Sequence, residues 1–192
     1  MSLPEIIIAR HGQTEWNRAG RWQGQLDSPL TDKGRDQACG LGQILLREGV
    51  GPGNWSFLTS PQGRSVETAR IALAFIGAEA RADDALREIG VGDWAGLTTE
   101  EIEDGWPGAE DEPFIERYSR APGGESFDAL WHRVGMVLAG LTGPTVIFTH
   151  GITSRFLRTR ALGWTLADLM ELPGGQGCLF RIQGQHHDVL WP

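Results

Sequence analysis

The sequence predicts an α/β fold, a three-layer sandwich in which a mainly parallel central sheet is flanked by helices on both faces. Short aliphatic runs alternate along the chain with longer segments whose apolar residues recur at helical spacing, which is typical of strands joined by helices. The last two apolar runs instead follow one another across Gly184-Gln185, so we expect an antiparallel hairpin at one edge of the sheet. The chain has 192 residues, enough for one sizeable core, and we expect a single domain over residues 1–192.

The first strand and the first long helix have recognisable boundaries. Residues 5–9, "EIIIA", form an aliphatic run that ends at Arg10, which suits a strand buried on both faces. A glycine-punctuated loop follows. The pattern then predicts a helix with Thr31 as its N-cap and Gly49 as its stop signal.

Three further elements are predicted in the middle of the chain. The segment "WSFLTS" (55–60) suits a second strand, and "RSVETARIALAFIG" (64–77) suits a helix. The apolar face of that helix would be formed by Val66, Ala69 and Leu73. Residues 81–87 predict one more short strand.

The segment 98–126 differs from the rest of the chain. It is acidic, and it contains Pro107, Pro113 and Pro122. We interpret it as a lid-like excursion from the domain that carries one or two short helices, rather than as a linker to a second domain.

The second half of the chain continues the alternation. The segment "ESFDALWHRVGMVLAGL" has one apolar stripe at helical spacing, which comprises Phe127, Leu130, Trp131, Val134, Leu138 and Leu141. The aliphatic run "TVIFT" then predicts a strand that ends at Thr149, followed by a helix to about Leu162. The runs "GCLFRIQG" and "HHDVLW" form the predicted hairpin.

Composition excludes several classes of function. The net charge of −8 argues against a nucleic-acid backbone or an anionic membrane as the partner, so we expect a small, locally recognised anion. No segment approaches the ~18 to 20 apolar residues of a membrane span, and "MSLPE" lacks signal-peptide features, so we expect a cytoplasmic protein. Cys39 and Cys178 have no Cys or His at metal-ligand spacing and are interpreted as small buried residues. The oligomeric state is left open.

Two predicted strands end in the same dipeptide. "IIIARHG" and "VIFTHG" each place His-Gly at the carboxyl end of an aliphatic strand. In a parallel sheet such ends face one crevice, so His11 and His150 are expected to meet there if their strands are neighbours. Metal binding is one explanation, but carboxylate or thiolate ligands are not adjacent to either histidine. Phosphate is the better fit, because Arg10 supplies a fork of donors and a neutral imidazole can attack phosphorus.

Five segments in chain order resemble the motifs of the histidine phosphatase superfamily, the phosphoglycerate mutase-like proteins. They are "RHGQTEWNRAGRWQGQLDSPLTDKGRDQA", "SPQGRSVETA", "LREIGVGDWAGLT", "PGGES" and "VIFTHG". The resemblance covers nearly the whole chain and implies the phosphoglycerate mutase-like sandwich fold. It also implies phosphoryl transfer on a small phosphorylated metabolite, without a metal ion or another cofactor.

The resemblance assigns roles residue by residue. His11 would be the nucleophile that becomes transiently phosphorylated, and Arg10, Arg64 and His150 would surround the phosphoryl group. Glu88 takes the position of the proton donor, which then activates the hydrolytic water. A second set would bind the substrate, namely Asn17, Gln23 and the backbone amide of Gly151. For this second set, loop capping by the polar side chains is an equally good explanation.

The same resemblance leaves three functions open. Cofactor-dependent mutases carry Arg-His-Tyr after the catalytic glutamate, whereas this chain has Ile89-Gly90-Val91, which resembles the phosphatase branch. We therefore expect a phosphomonoesterase that forms a phosphohistidine. A cofactor-dependent phosphoglycerate mutase and a catalytically silent module that binds phosphorylated ligands are the alternatives, although a binding module has no need for Glu88.

The acidic segment 98–126 suggests two hypotheses about substrate choice. Its carboxylates would disfavour bisphosphorylated or polyanionic substrates, and Trp94 or Trp106 would pack on an apolar part of the ester. A solvated acidic face is the simpler explanation of the same residues. The carboxylates in question are Glu100, Glu101, Glu103, Asp104, Glu110, Asp111 and Glu112.

Overall fold

The computed structural model describes residues 3–109 and 111–192, which build a mixed central sheet. The strands of this sheet are β1 (Ile6–Arg10), β2 (Ser56–Thr59), β3 (Arg81–Ala82), β4 (Thr145–Thr149), β5 (Leu179–Gln183) and β6 (His186–Leu190). Their spatial order is β3-β2-β4-β1-β5-β6. The first four strands in this order pair in parallel, whereas β5 runs antiparallel to both β1 and β6. The predicted mainly parallel sheet with an antiparallel edge is confirmed.

Helices cover both faces of the sheet. The α-helices are α1 (Glu15–Arg18), α2 (Asp32–Arg47), α3 (Gly63–Ala74), α4 (Thr99–Gly105), α5 (Phe127–Ala139) and α6 (Gly151–Ala161). Short 3₁₀ turns lie at Asp84–Leu86, Gly92–Trp94, Glu116–Arg120 and Leu166–Asp168. One apolar cluster joins the sheet to α5 and α6, and a second joins it to α2 and α3, so the three-layer α/β sandwich is confirmed. Among the described residues, no helix combines the length and the apolar character needed to cross a membrane.

Strand β1 is buried on both faces, as predicted. Ile6 and Ile8 belong to the cluster under α5 and α6, and Ile7 and Ala9 belong to the cluster under α2 and α3. All four side chains are fully buried, which explains the continuous aliphatic run in the sequence. The strand ends at Arg10, so the polar residues that follow it emerge at the edge of the core.

Helix α2 has the predicted ends. The Thr31 side chain accepts a hydrogen bond of 3.0 Å from the Gly34 backbone N–H, which satisfies one of the free donors of the first turn. Gly49 follows the helix with φ of +69°, a left-handed conformation that glycine adopts without strain.

Three predictions about the middle of the chain and the cysteines need correction. The strand over 81–87 is confined to Arg81–Ala82, because the Asp83 side chain accepts from the Ala85 N–H and starts a 3₁₀ turn instead. Val66 is 40% exposed and does not belong to the buried face of α3. That face includes polar residues that contribute to the site described below, which apolar periodicity could not indicate. Cys39 is half-buried rather than buried.

The excursion at 98–126 contains two short helical pieces, α4 and the 3₁₀ turn Glu116–Arg120. Glu103 pairs with Arg117 at 2.6 Å, and Glu112 pairs with Arg120 at 2.8 Å. Two carboxylates of this segment are therefore paired locally with arginines of the same segment. Glu110 lies outside the described residues.

Candidate active site

The two histidines that follow predicted strands lie side by side. Strands β1 and β4 are adjacent and parallel, with Arg10 paired to Thr149, and the His11 N–H donates to the Thr149 carbonyl at 2.9 Å. The ring centroids of His11 and His150 are 5.2 Å apart. The prediction that these side chains meet at the carboxyl ends of neighbouring strands is therefore confirmed.

The imidazole of His11 has a defined tautomer. Its Nδ1 lies 2.8 Å from the Gly12 carbonyl oxygen, which can only accept a hydrogen bond, so Nδ1 carries the proton. Nε2 is then unprotonated, and it accepts a hydrogen bond of 3.3 Å from Arg64 Nε. Burial, reinforced by the charges of Arg10 and Arg64, holds the pKa of His11 well below its usual range. His11 is therefore a neutral base whose Nε2 is unprotonated and accepts from Arg64.

Arg64 lies in the first turn of α3, with a side chain that is 1% exposed. Its guanidinium donates to the Gly24 carbonyl at 2.9 Å, to the Leu26 carbonyl at 2.6 Å and to Asp27 at 2.9 Å. Burial lowers the pKa of Arg64, and the hydrogen bond with Asp27 opposes that shift. These contacts fix a positive charge against Nε2 of His11.

Arg10 places a second guanidinium at the end of β1. Its Nε is buried and has no hydrogen-bond partner among residues 3–109 and 111–192. Gly151 lies against it, because a Cβ added at Gly151 would be 3.4 Å from Arg10 Cζ. The Arg10 side chain is therefore positioned by packing, with donor capacity left for an anion.

His150 is buried behind His11 rather than exposed to the cavity. Its Nε2 lies 2.7 Å from Ser60 Oγ, and its Nδ1 has no partner in the described part of the chain. Burial and the nearby charge of Arg64 lower the pKa of His150 well below its usual range, so the ring is neutral. Ser60 directly follows β2, so three strand ends contribute to the site.

Glu88 is held at the N-terminus of α6. Its Oε1 accepts three hydrogen bonds, from Thr153 N–H at 3.0 Å, from Thr153 Oγ1 at 3.0 Å and from Ile89 N–H at 3.1 Å. Its Oε2 accepts one, from Ile152 N–H at 3.2 Å. Oε2 is therefore the carboxylate oxygen with capacity to exchange a proton.

Gln62 connects Glu88 to the loop that holds Arg64. Its Oε1 accepts from the Glu88 N–H at 2.7 Å, and its Nε2 donates to the Gly24 carbonyl at 3.0 Å. The Gly24 carbonyl also accepts a hydrogen bond from Arg64. The Gln62 side chain therefore links Glu88, the predicted proton donor, to the loop that holds Arg64, a predicted phosphate ligand. The sequence pattern did not indicate this role.

A cavity of about 230 Å³ opens in front of these groups. Its lining includes Arg10, His11, Arg64 and Glu88 together with Asn17 and Gln23. The structure thus brings six of the eight predicted site residues to one cavity, with His150 behind it and Gly151 against Arg10.

The predicted substrate-binding residues differ in how they are occupied. The Asn17 Oδ1 accepts from the Thr14 N–H at 3.2 Å and from Gln176 Nε2 at 3.2 Å, so the capping explanation holds for its oxygen. The Gln23 side chain is 7% exposed, and its Oε1 has no partner within the described ranges. Of the two side-chain oxygens, that of Gln23 is therefore the one that is not already hydrogen-bonded to a described residue.

The aromatic residues of the cavity were predicted incorrectly. Trp94 is fully buried in the core, and Trp106 is exposed but is not among the residues that line this cavity. Trp22, Phe114 and Tyr118 line the cavity instead, and the lining contains no carboxylate from the described part of the 98–126 segment. Burial raises the pKa of the Tyr118 phenol, so this group stays protonated.

Within the described residues, no three His, Cys, Asp or Glu side chains lie close enough together to hold a metal ion. The groups around the cavity are three guanidiniums (Arg10, Arg21 and Arg64), the neutral imidazole of His11, two amides and one carboxylate. This donor-rich set suits an anion such as a phosphate ester.

Comparison with known protein families gives one match over nearly the whole chain. The model of the histidine phosphatase superfamily (branch 1) matches residues 6–190. Among curated proteins, the probable phosphoglycerate mutase GpmB of Salmonella paratyphi B is 33% identical over 184 residues, which cover 88% of this chain and 76% of that protein.

Solved structures show the same similarity in three dimensions. A mycobacterial glucosyl-3-phosphoglycerate phosphatase superimposes with a TM-score of 0.82 at 28% identity, with 98% of each chain covered. The protein TTHB049 of Thermus thermophilus superimposes with a TM-score of 0.72 at 30% identity, covering 98% of this chain and 99% of that one.

Proposed function

Because the chain belongs to the histidine phosphatase superfamily (branch 1), we propose that it is a phosphomonoesterase that hydrolyses small phosphate esters through a phosphohistidine on His11. The observation that carries this proposal is the tautomer of His11. The Gly12 carbonyl holds the proton on Nδ1, so the lone pair on Nε2 is directed toward the Arg64 guanidinium, where an anionic phosphoryl group would be bound. A cavity of about 230 Å³ suits a small ester.

The first half of the proposed reaction transfers the phosphoryl group to His11. The lone pair on Nε2 attacks phosphorus, and the bond between phosphorus and the ester oxygen breaks. Arg10 and Arg64 compensate the charge on the phosphoryl oxygens, as general electrostatic stabilisation requires. The neutral His150 packs against His11, with ring centroids 5.2 Å apart, and completes the site from behind.

Glu88 handles the protons in both halves. Protonated on Oε2, it gives its proton to the leaving ester oxygen, and as a carboxylate it then accepts a proton from water. The water oxygen attacks phosphorus, the bond between phosphorus and Nε2 breaks, and inorganic phosphate leaves. Acid–base catalysis of this kind contributes about 10²- to 10⁴-fold to the rate.

Two features support hydrolysis over mutase chemistry, although the curated relative carries a mutase name. Ile89 and Val91 are fully buried, so the segment after Glu88 serves packing and offers no charged side chain for a substrate carboxylate. A mutase must also exclude water from its phosphohistidine, whereas the cavity here is partly open to solvent.

The test is an assay of inorganic phosphate release from para-nitrophenyl phosphate and a panel of metabolite monophosphates in the presence of a chelator. We expect release without added metal and a loss of at least about 10³-fold in His11→Ala. His132→Ala is the matched control, because His132 is an exposed histidine on α5 and should leave turnover unchanged.

The alternatives give different results in the same experiment. Interconversion of 3-phosphoglycerate and 2-phosphoglycerate with added 2,3-bisphosphoglycerate, accompanied by little phosphate release, would make the protein a mutase. Phosphate binding without turnover in the wild type would make it a binding module. Turnover that survives Glu88→Gln unchanged, for an ester with a strongly basic leaving group, would remove Glu88 from its proposed role.

A further inference from the structure

A second cavity of about 130 Å³ adjoins the proposed reaction cavity. The two share Arg10, Glu88, Phe114 and Tyr118 as lining residues, so they meet at the predicted catalytic groups. Beyond this shared boundary, the second cavity is lined by residues of α6, by a glycine-containing loop and by one residue of β5. These residues include Ser154, Arg155, Arg158, Gly174, Gly175 and Phe180.

Arg158 is buried in the wall of this second cavity without a counter-charge. It is 1% exposed, its guanidinium lies 3.8 Å from the centre of the Phe180 ring, and its Nη1 lies 3.2 Å from His187 Nε2. Burial lowers the pKa of Arg158 to about 9, and the charge of Arg155 adds to this effect, but the group remains a cation at neutral pH. A buried unpaired cation is costly, which calls for an explanation.

Two further guanidiniums face the same space. Among the described residues, no carboxylate lies within 4.0 Å of the side-chain nitrogens of Arg10, Arg155 or Arg158. Burial and the charge of Arg10 lower the pKa of Arg155, as expected for like charges near one another. Arg155 donates to the carbonyls of Leu169 and Leu172, so these backbone contacts fix its position.

Neutral hydrogen-bonding groups complete the lining. Ser154 is 1% exposed, and its Oγ has no hydrogen-bond partner within the described ranges. At Gly174 and Gly175 the cavity wall is formed by the backbone, because glycine has no side chain. An unused hydroxyl beside uncompensated guanidiniums is the environment that a carboxylate or phosphate would satisfy. A neutral ligand would leave the repulsion between the cations in place.

We propose that the second cavity binds a second anionic group of the substrate, so that the preferred esters carry a carboxylate or a second phosphate in addition to the phosphate that is removed. Arg158, Arg155 and Ser154 would hold that second anion while the first lies between Arg64 and His11. This inference rests on the proposed function, since it assigns the substrate class of the same site. It also reverses the hypothesis that the acidic segment disfavours polyanionic substrates, because the lining of the second cavity contains no described lid carboxylate.

The experiment compares charged and uncharged substrates of equal length. We would measure kcat/KM for ω-carboxyalkyl phosphates of two to five carbons, each beside the n-alkyl phosphate of the same length. Diol bisphosphates of the same lengths distinguish a second phosphate from a carboxylate. At the chain length that spans the two cavities, we expect a second anion to raise kcat/KM at least tenfold, and Arg158→Met to bring the ratio of charged to uncharged substrate near one.

Three variants together separate a direct effect on the second anion from an indirect effect on the fold. Arg158→Met retains a long apolar side chain against Phe180, and Ser154→Ala provides an independent smaller perturbation that should lower the same ratio severalfold. Arg160→Met removes an arginine from the same helix that contacts Trp131 and lines neither cavity, so it should leave the ratio as in the wild type.

Failure of this inference differs from failure of the proposed function. If alkyl phosphates are hydrolysed but a second anion gives no advantage at any length, or if Arg158→Met leaves the advantage intact, the second-anion site is wrong and the phosphatase stands. If no ester is hydrolysed, calorimetric titration of the His11→Ala variant with the same pairs of compounds measures the ratio of their affinities instead. Equal affinities for charged and uncharged compounds there would overturn the site independently of catalysis.

Discussion

Single carbonyl and hydroxyl groups determine what the reacting side chains can do. The Gly12 carbonyl selects the tautomer of His11, and the Thr153 hydroxyl contacts both Glu88 Oε1 at 3.0 Å and the Arg87 carbonyl at 2.8 Å. Both contacts act on residues that were identified from the sequence. Neither contact could be identified in that way, because each depends on a backbone path or on a partner more than 60 positions away.

Thr153→Val tests how far the orientation of Glu88 matters. Valine keeps the shape of threonine but removes the hydroxyl, while the backbone N–H of residue 153 remains available to Glu88. We expect kcat for an alkyl phosphate to fall about tenfold, equivalent to about 1.4 kcal/mol, and kcat for para-nitrophenyl phosphate to change little, because its leaving group needs no proton.

Thr159→Val is the matched control for that change. Thr159 is a fully buried threonine on the same helix, its Oγ1 has no partner in the described part of the chain, and it lines neither cavity. Its replacement should leave both substrates unaffected. An equal loss on alkyl and aryl substrates in Thr153→Val would show that the hydroxyl supports the fold of the site rather than proton transfer.

At the level of elements, the rule that parallel strands end at one crevice predicted the positions of Arg10, His11 and His150. The prediction depended on the two strands being neighbours, and the structure supplies that condition, because β1 and β4 are adjacent and parallel. The same rule applied to β2 would have added Ser60, which binds His150. Arg64 and Glu88 came from the resemblance to the family, since an arginine on a helix and a glutamate in a loop have no distinctive local pattern.

Other elements were less predictable for physical reasons. The buried face of α3 contains Arg64, Ser65 and Thr68, so a search for apolar periodicity selected Val66 instead. Arg158 occupies the inner face of α6, where a charged residue is normally expected to be exposed. Functional sites place polar groups in the core, and these are the places where pattern and structure disagree.

The whole molecule carries a pH dependence that follows from its buried neutral histidines. Burial lowers the pKa of His11 and His150 well below the usual value of 6.5 in the folded state, whereas the unfolded chain takes up protons near 6.5. The stability that these histidines contribute is therefore present above pH 6.5 and is lost as the pH falls below it. Between pH 7.5 and pH 5.5 we expect a loss of roughly 1.4 kcal/mol for each histidine in the free energy of unfolding.

Urea unfolding of the wild type at the two pH values, beside the variant His11→Asn/His150→Asn, measures this loss. The variant lacks both imidazoles. Between pH 7.5 and pH 5.5, the loss in its free energy of unfolding should therefore be smaller than the loss in the wild type by about 2 to 3 kcal/mol. Parallel losses in wild type and variant would show that the acid sensitivity of the fold arises elsewhere.

The measurement that tests the central claim most directly is the trapping of the phosphorylated enzyme. A wild-type sample mixed with substrate, quenched in alkali within the first turnover and digested for tandem mass spectrometry should carry a phosphoryl group on His11. Nuclear magnetic resonance of ¹⁵N-labelled protein should place it on Nε2, the nitrogen left free by the hydrogen bond from Nδ1 to the Gly12 carbonyl. A phosphoryl group on another residue, or sustained turnover with none on any histidine, would contradict the account.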